Sequence, residues 1–167
     1  MINLISALVV ASLMKTPGTG AKTMDFQNPA VYGATILNNE DERVIISSDE
    51  FNLMCRVVMS EAGSQSCETQ EAVATVIINR WMNPDKFPDT IEGVINEPKQ
   101  FSTHYNGEVT LSVMVAVNNA IQYYNTFAQD LPKQCYYFRS GKYHSFGIPY
   151  CSMDDLYFSL DKDAVID

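Results

Sequence analysis

The sequence predicts an α+β domain, mainly α, with a small antiparallel β-sheet near its C-terminal end. Three observations carry that expectation. Between Ser47 and about Ala128, apolar residues recur at helical spacing behind recognisable cap residues. After Leu131-Pro132 the period shifts to short runs rich in Tyr, Phe and Leu. A hydrophobic content of 46% over 167 residues is enough for one domain with a real core.

The elements follow in chain order. Ile2 to Met14 is an apolar run shorter than the roughly 20 residues a membrane span needs, so no stable span is expected. It reads as a signal-peptide core or as a short hydrophobic docking arm. Residues 16 to about 39 are rich in Gly, Pro, Thr, Lys and Asn without period, as in a linker, which divides the chain into an arm of residues 1–42 and a domain of residues 43–167. Val44-Ile45-Ile46 is a short strand or a lead-in to the first helix.

That helix opens on a capping box, Ser47 followed three residues on by Glu50, and runs to Ala62 before Gly63. A second runs from Cys67 to Met82 behind Ser66. Its middle is almost wholly apolar, which makes it the buried central helix. Asn83-Pro84 ends it. Asp89 and Glu92 form another capping-box pattern for a short helix through Asn96, and Pro98 closes that element. Thr110 to about Ala128 is a long helix, with Leu111, Met114, Val115, Ile121, Tyr124 and Phe127 or Ala128 expected to face inward. Gln134–Arg139 and Asp155–Leu160 read as a pair of strands joined by a loop.

Charge narrows the function. The formal net charge is -9, from 20 acidic against 11 basic residues, and no Lys/Arg cluster is visible. A nucleic-acid partner is therefore not expected, because phosphate binding depends on such clusters. Four cysteines, Cys55, Cys67, Cys135 and Cys151, include no CxxC pair and have no His at ligand spacing, so no metal site is expected. Cys55 falls on the core face of the first helix. Cys135 and Cys151 bracket a Gly- and Tyr-rich excursion and are either a disulfide or two free thiols.

The candidate for chemistry is Glu61. It lies four positions after Val57, three after Val58 and seven after Met54, so a continuous helix turns it toward the same interior as those residues. Burial and the negative end of the helix dipole both disfavour a charged carboxylate there. A carboxyl that keeps its proton is what glycoside cleavage requires, because the leaving oxygen must be protonated as its bond breaks. Glu68, Glu71, Asp89 and Glu92 have helix-start explanations, which leaves Glu61 without an obvious second carboxylate. Gln100, Phe101, Ser102, Tyr137 and Phe138 are the candidate substrate-binding residues, since aromatic faces stack on sugar rings. A competing chemistry pairs Cys67 as nucleophile with His104 or His144 as base.

The ordered blocks Arg56-Val57-Val58-Met59-Ser60-Glu61-Ala62, Gln70 to Arg80, Lys86 to Ile95, Gln100-Phe101-Ser102 and Cys135-Tyr136-Tyr137-Phe138 resemble the SleB-like cell wall hydrolases, the catalytic-domain family of spore cortex-lytic enzymes. The resemblance implies a lysozyme-like fold, related to lytic transglycosylases and goose-type lysozymes. It also implies cleavage of peptidoglycan glycan strands between N-acetylmuramic acid and N-acetylglucosamine, with the family's catalytic Glu on Glu61. A single acid/base suffices when the muramic 6-hydroxyl is the nucleophile, giving 1,6-anhydro ends, and no cofactor is needed. Ser60, Ser64-Gln65-Ser66-Cys67 and Arg139-Ser140 depart from the family pattern. The expected partner is peptidoglycan and the expected state a monomer, acting at the bacterial cell wall whether exported, periplasmic or phage-borne. The alternative is an inactive lysozyme-like domain that binds wall glycan or serves as a structural part of a particle.

Overall fold

The computed structural model describes residues 34–37, 43–102, 107–124, 129 and 131–165. Strands β1 (Ala34–Leu37) and β2 (Arg43–Ile46) pair antiparallel, and β1 packs beside the later helix Leu111–Tyr123. β1 lies inside the stretch that composition reads as a linker. Helices α1 (Ser48–Ala62), α2 (Cys67–Trp81), α3 (Ile91–Asn96) and α4 (Leu111–Tyr123) precede a second sheet, built from β3 (Cys135–Ser140), β4 (Ile148–Met153) and β5 (Leu156–Leu160). Among the described residues no helix is long and apolar enough to cross a membrane.

α1 forms where the capping box predicts. The Ser47 hydroxyl accepts from the Glu50 amide, and the Glu50 carboxylate accepts from the Ser47 amide at 2.8 Å. α2 is the central helix. Ser66 caps it, and every residue from Ala72 to Arg80 is buried because α1, α3, α4 and β3 all pack on it.

α3 starts one residue later than the capping pattern suggests. Its cap is Thr90, whose hydroxyl accepts from the Gly93 amide at 3.0 Å, while the Asp89 carbonyl accepts from the Trp81 indole. Gly93 makes this possible, since a Cβ there would meet Pro88 Cβ at 2.7 Å. α4 presents a different face from the expected one. Val113, Ala116, Val117, Ala120, Ile121 and Tyr124 are buried, Met114 and Val115 are half-buried, and Leu111 is 66% exposed. The inner stripe is built on the small residues Ala116 and Ala120, which let α4 approach α2, and this rotates the larger Leu111 outward. Phe127 and Ala128 lie outside the described residues.

The C-terminal sheet has three strands in the order β3-β5-β4, all antiparallel. The added strand, β4, comes from the excursion expected to be a loop. It is an edge strand, which is where Pro149 can be carried without losing a ladder hydrogen bond. A register shift between Cys135 and Tyr137 breaks the strict alternation of β3, so Tyr136 is buried while Tyr137 and Phe138 are both half-buried. The strand order also decides the cysteines. β5 lies between β3 and β4, so Cys135 and Cys151 are two strand spacings apart, roughly 9–10 Å, beyond the reach of a disulfide. None of the four cysteines is in a disulfide.

Candidate functional site

Glu61 occupies the last turn of α1, half-buried, and its Oε1 accepts a hydrogen bond from the Ser102 amide at 2.5 Å. The two residues are 41 positions apart. Among the described residues this amide is the carboxyl's hydrogen-bond donor. The side chain shares the face of Met54, Val57 and Val58, which are buried, but it stands at the margin of the core and is not enclosed by it.

A tight turn delivers the Ser102 amide. The Gln100 amide donates to the Glu97 carbonyl at 3.2 Å, Pro98 takes the second position and Lys99 the third, with φ at 65°. This is the type II geometry that Pro favours at its second position and that a non-glycine residue adopts at some cost at its third. The chain then carries Gln100, Phe101 and Ser102 back across the end of α1. Gln100 and Ser102 are exposed and Phe101 is half-buried.

Phe101 connects this loop to the sheet. Its ring lies 6.0 Å from Phe138, which in turn lies 5.8 Å from the buried Phe158. Tyr137 reaches the same cluster by another route, through Arg80. The Arg80 guanidinium carbon sits 5.0 Å from the Phe101 ring, 5.7 Å from the Tyr137 ring and 5.3 Å from the Phe87 ring. On its far side Tyr137 meets Phe146 edge-on at 5.1 Å, and His144 packs 4.6 Å from Phe146. The structure thus brings Glu61, Phe101, Ser102, Tyr137 and Phe138 into one connected surface, with Gln100 at its exposed edge.

Two residues that sequence reasoning passed over hold this surface together. Arg80 is only 3% exposed, and its Nε donates to the Tyr136 carbonyl at 2.7 Å. Burial pulls its pKa down to about 10, with Glu97 opposing, so it remains a cation at neutral pH. Gln70 is 1% exposed. Its amide nitrogen donates to the carbonyls of Ala62, Gly63 and Gln65 at 3.1 to 3.4 Å, closing the turn that follows Glu61. Its oxygen accepts from the Ser112 hydroxyl at 2.8 Å, tying that turn to α4. Neither stood out in the sequence, since Gln70 lies among the polar residues of the first turn of α2 and Arg80 in its last turn.

The cysteine chemistry is not assembled. Cys67 directs its thiol toward the Ser112 carbonyl, and burial together with Glu71 raises its pKa, the opposite of what a nucleophile needs. His144 is engaged elsewhere, with Nε2 3.1 Å from the Phe138 carbonyl, and His104 lies outside the described residues. Burial likewise pushes the Cys55 and Cys135 thiols up to about 12, as inert core groups. Among the described residues no cluster of His, Cys, Asp and Glu is arranged to hold a metal ion.

A family model described as Cell Wall Hydrolase matches residues 64–150, more than half of the chain. The chain belongs to that cell wall hydrolase family. The matched segment contains the Gln100–Ser102 loop, Arg80 and β3, and begins three residues after Glu61. The chain is 38% identical over 93 residues to a spore cortex-lytic enzyme of Oceanobacillus iheyensis, covering 47% of this chain and 33% of the relative. A spore cortex-lytic enzyme of Bacillus subtilis is 32% identical over 75 residues, covering 45% and 24%. The chain therefore spans a third or less of the length of these curated relatives.

Solved structures share the fold of this chain. The catalytic domain of Bacillus cereus SleB aligns with a TM-score of 0.58 at 24% identity, covering 68% of this chain and 91% of that one. The catalytic domain of the germination-specific lytic transglycosylase SleB from Bacillus anthracis gives 0.56 at 24% identity, covering 68% and 96%. The mainly helical architecture with its three-stranded antiparallel sheet is thus that of the SleB catalytic domains.

Proposed function

We propose that this domain cleaves peptidoglycan glycan strands at the bacterial cell wall, between N-acetylmuramic acid and N-acetylglucosamine, with Glu61 as its one acid/base. The observation that carries the reading is the Glu61 carboxyl at the end of α1, held through Oε1 by the Ser102 amide beside the Phe101, Tyr137 and Phe138 rings, in a chain of the cell wall hydrolase family. The names of the spore cortex-lytic relatives and of the SleB lytic transglycosylase structure support the substrate class.

In this mechanism Glu61 first gives its proton to the glycosidic oxygen as the bond from muramic C1 breaks. The resulting carboxylate then takes the proton of the muramic 6-hydroxyl, whose oxygen closes on C1. The product carries a 1,6-anhydro ring, and Glu61 is returned to its starting protonation state. One carboxyl performs both transfers because the nucleophile comes from the substrate, which removes the need for the paired carboxylates of an ordinary glycosidase. The Ser102 amide fixes which oxygen is held and which is free to exchange the proton. The aromatic faces of Phe101, Tyr137 and Phe138 are suited to sugar rings, with Gln100 at the polar edge.

The test is digestion of purified sacculi by wild type and Glu61→Gln, with mass spectrometry of the soluble products. Muropeptides ending in anhydro-muramic acid, lost by at least about a hundredfold in Glu61→Gln, are the expected result. Reducing ends would replace the transglycosylase mechanism with hydrolysis. Sacculus binding without soluble products would make the domain a glycan-binding module, and full activity in Glu61→Gln would remove that carboxyl from the mechanism.

A further inference from the structure

We propose that Arg80 is a positioning residue for Glu61, acting through Phe101 and the Ser102 amide; the proposal rests on the reading of Glu61 as the acid/base. Arg80 is 97% removed from solvent, so it does not reach a glycan itself. What it touches is the framework. Its Nε bond to the Tyr136 carbonyl anchors the guanidinium on β3, and its charge lies among the rings of Phe87, Phe101 and Tyr137. Nη1 has no hydrogen-bond partner among the described residues, so that end of the cation is held by those ring faces together with the charge of Glu97.

Of the three rings, Phe101 is the one that matters for chemistry, because the next residue in the chain is Ser102. Phe101 is clamped between Arg80 on α2 and Phe138 on β3. That clamp fixes the loop that follows the Pro98-Lys99 turn, and with it the amide aimed at Glu61 Oε1. The chain of contacts therefore runs from a buried cation, through one aromatic ring, to the donor on the reacting carboxyl. A lysine cannot replace the arginine here. Its ammonium is a point charge without a planar face, and it cannot keep the carbonyl anchor and the ring contacts in the same geometry.

The experiment compares wild type, Arg80→Lys and Phe101→Leu by amide hydrogen exchange at Ser102, read by NMR, and by kcat and KM on solubilised glycan strands. In wild type the Ser102 amide exchanges slowly for a loop position because it is bonded to Glu61. Arg80→Lys removes that protection and lowers kcat about tenfold to a hundredfold, with KM within about twofold, since a small displacement of a catalytic group is enough for such a loss. Phe101→Leu breaks the same link from the other end and strips the same protection, and it carries the test if Arg80→Lys does not fold. The double variant loses no more kcat than the worse single one. A folded Arg80→Lys or Phe101→Leu with full Ser102 protection would overturn the proposal. The exchange measurement needs no activity, so a wild-type protein inert on glycan would refute the proposed function while leaving this contact chain to be judged by itself.

Discussion

Gly63 shows how closely the turn after Glu61 is packed. Its backbone is ordinary helical territory, φ -60° and ψ -24°, so glycine is required there for room and not for rotation. A Cβ at that position would stand 2.4 Å from the Met59 carbonyl oxygen and 2.9 Å from the Met59 methyl carbon. The methyl group can move, but the carbonyl belongs to the turn that carries Glu61. Gly63→Ala is therefore expected to cost about 1–3 kcal/mol in urea unfolding, as overpacking does, and to reduce sacculus digestion with it. Unchanged stability would mean that the turn yields freely. At this scale the sequence located Glu61's face correctly, because helical spacing from Met54, Val57 and Val58 is a local property. It did not give its degree of burial, which depends on a loop 41 residues away. Arg80 was illegible for a related reason: an arginine in the last turn of a helix already complements the dipole, and only the tertiary structure shows three rings around it.

The end of α1 poses an accounting question at the level of elements. No basic residue lies in its last turn, yet its terminal carbonyls are not left to water. The Gln70 amide, from the first turns of α2, serves Ala62, Gly63 and Gln65 together. Gln70→Met keeps much of the volume and removes the donors, so the part-buried Gly63 and Gln65 carbonyls lose this partner while Ala62 keeps the Gln65 amide, at an expected cost of about 1–3 kcal/mol. Because those acceptors flank Glu61, kcat should fall as well. Chemical denaturation and digestion rates measured on one preparation check both, and a fully stable, fully active Gln70→Met would show the turn to be self-supporting. Helix existence and order were legible from caps and period. The α3 cap and the α4 face were not, since each was set by a neighbour: Pro88 under Gly93, and α2 against Ala116 and Ala120. β4 was hidden because Ile148-Pro149-Tyr150 carries the proline of an edge strand, and its absence from the expected pair is why a Cys135–Cys151 bridge looked feasible.

In the molecule as a whole, the sheet is joined to the helical part at both ends of its central strand, to the start of α2 at one end and to the loop between α2 and α3 at the other, and both joints are carboxylates. At the start of β5, Asp154, with φ at 48°, accepts from the Ser66 amide at 2.8 Å and the Thr69 hydroxyl at 2.6 Å, so the β4–β5 turn is seated on the N-terminus of α2. These bonds hold its carboxyl below the usual range. At the end of β5, burial pushes the Asp161 carboxyl up, but the Lys86 ammonium and the amides of Asp163 and Lys162 outweigh it and leave the pKa lowered. Both groups therefore bind protons less readily in the folded chain than in the unfolded one, where an Asp titrates near about 3.9. Their stabilisation is complete above that value and is lost as pH falls through the depressed native pKa values, because the unfolded state then takes up more protons. Asp154→Asn and Asp161→Asn should each lower the thermal midpoint at pH 7, and the gap from wild type should close as the pH is lowered below about 4. Wild type and variants share every other carboxylate of this acidic chain, so the difference isolates the two joints. Thermal unfolding followed by circular dichroism over a pH series reads it directly. A gap of constant size from pH 7 to pH 2 would show that Asp154 and Asp161 hold the sheet by shape alone, with no contribution from their charge.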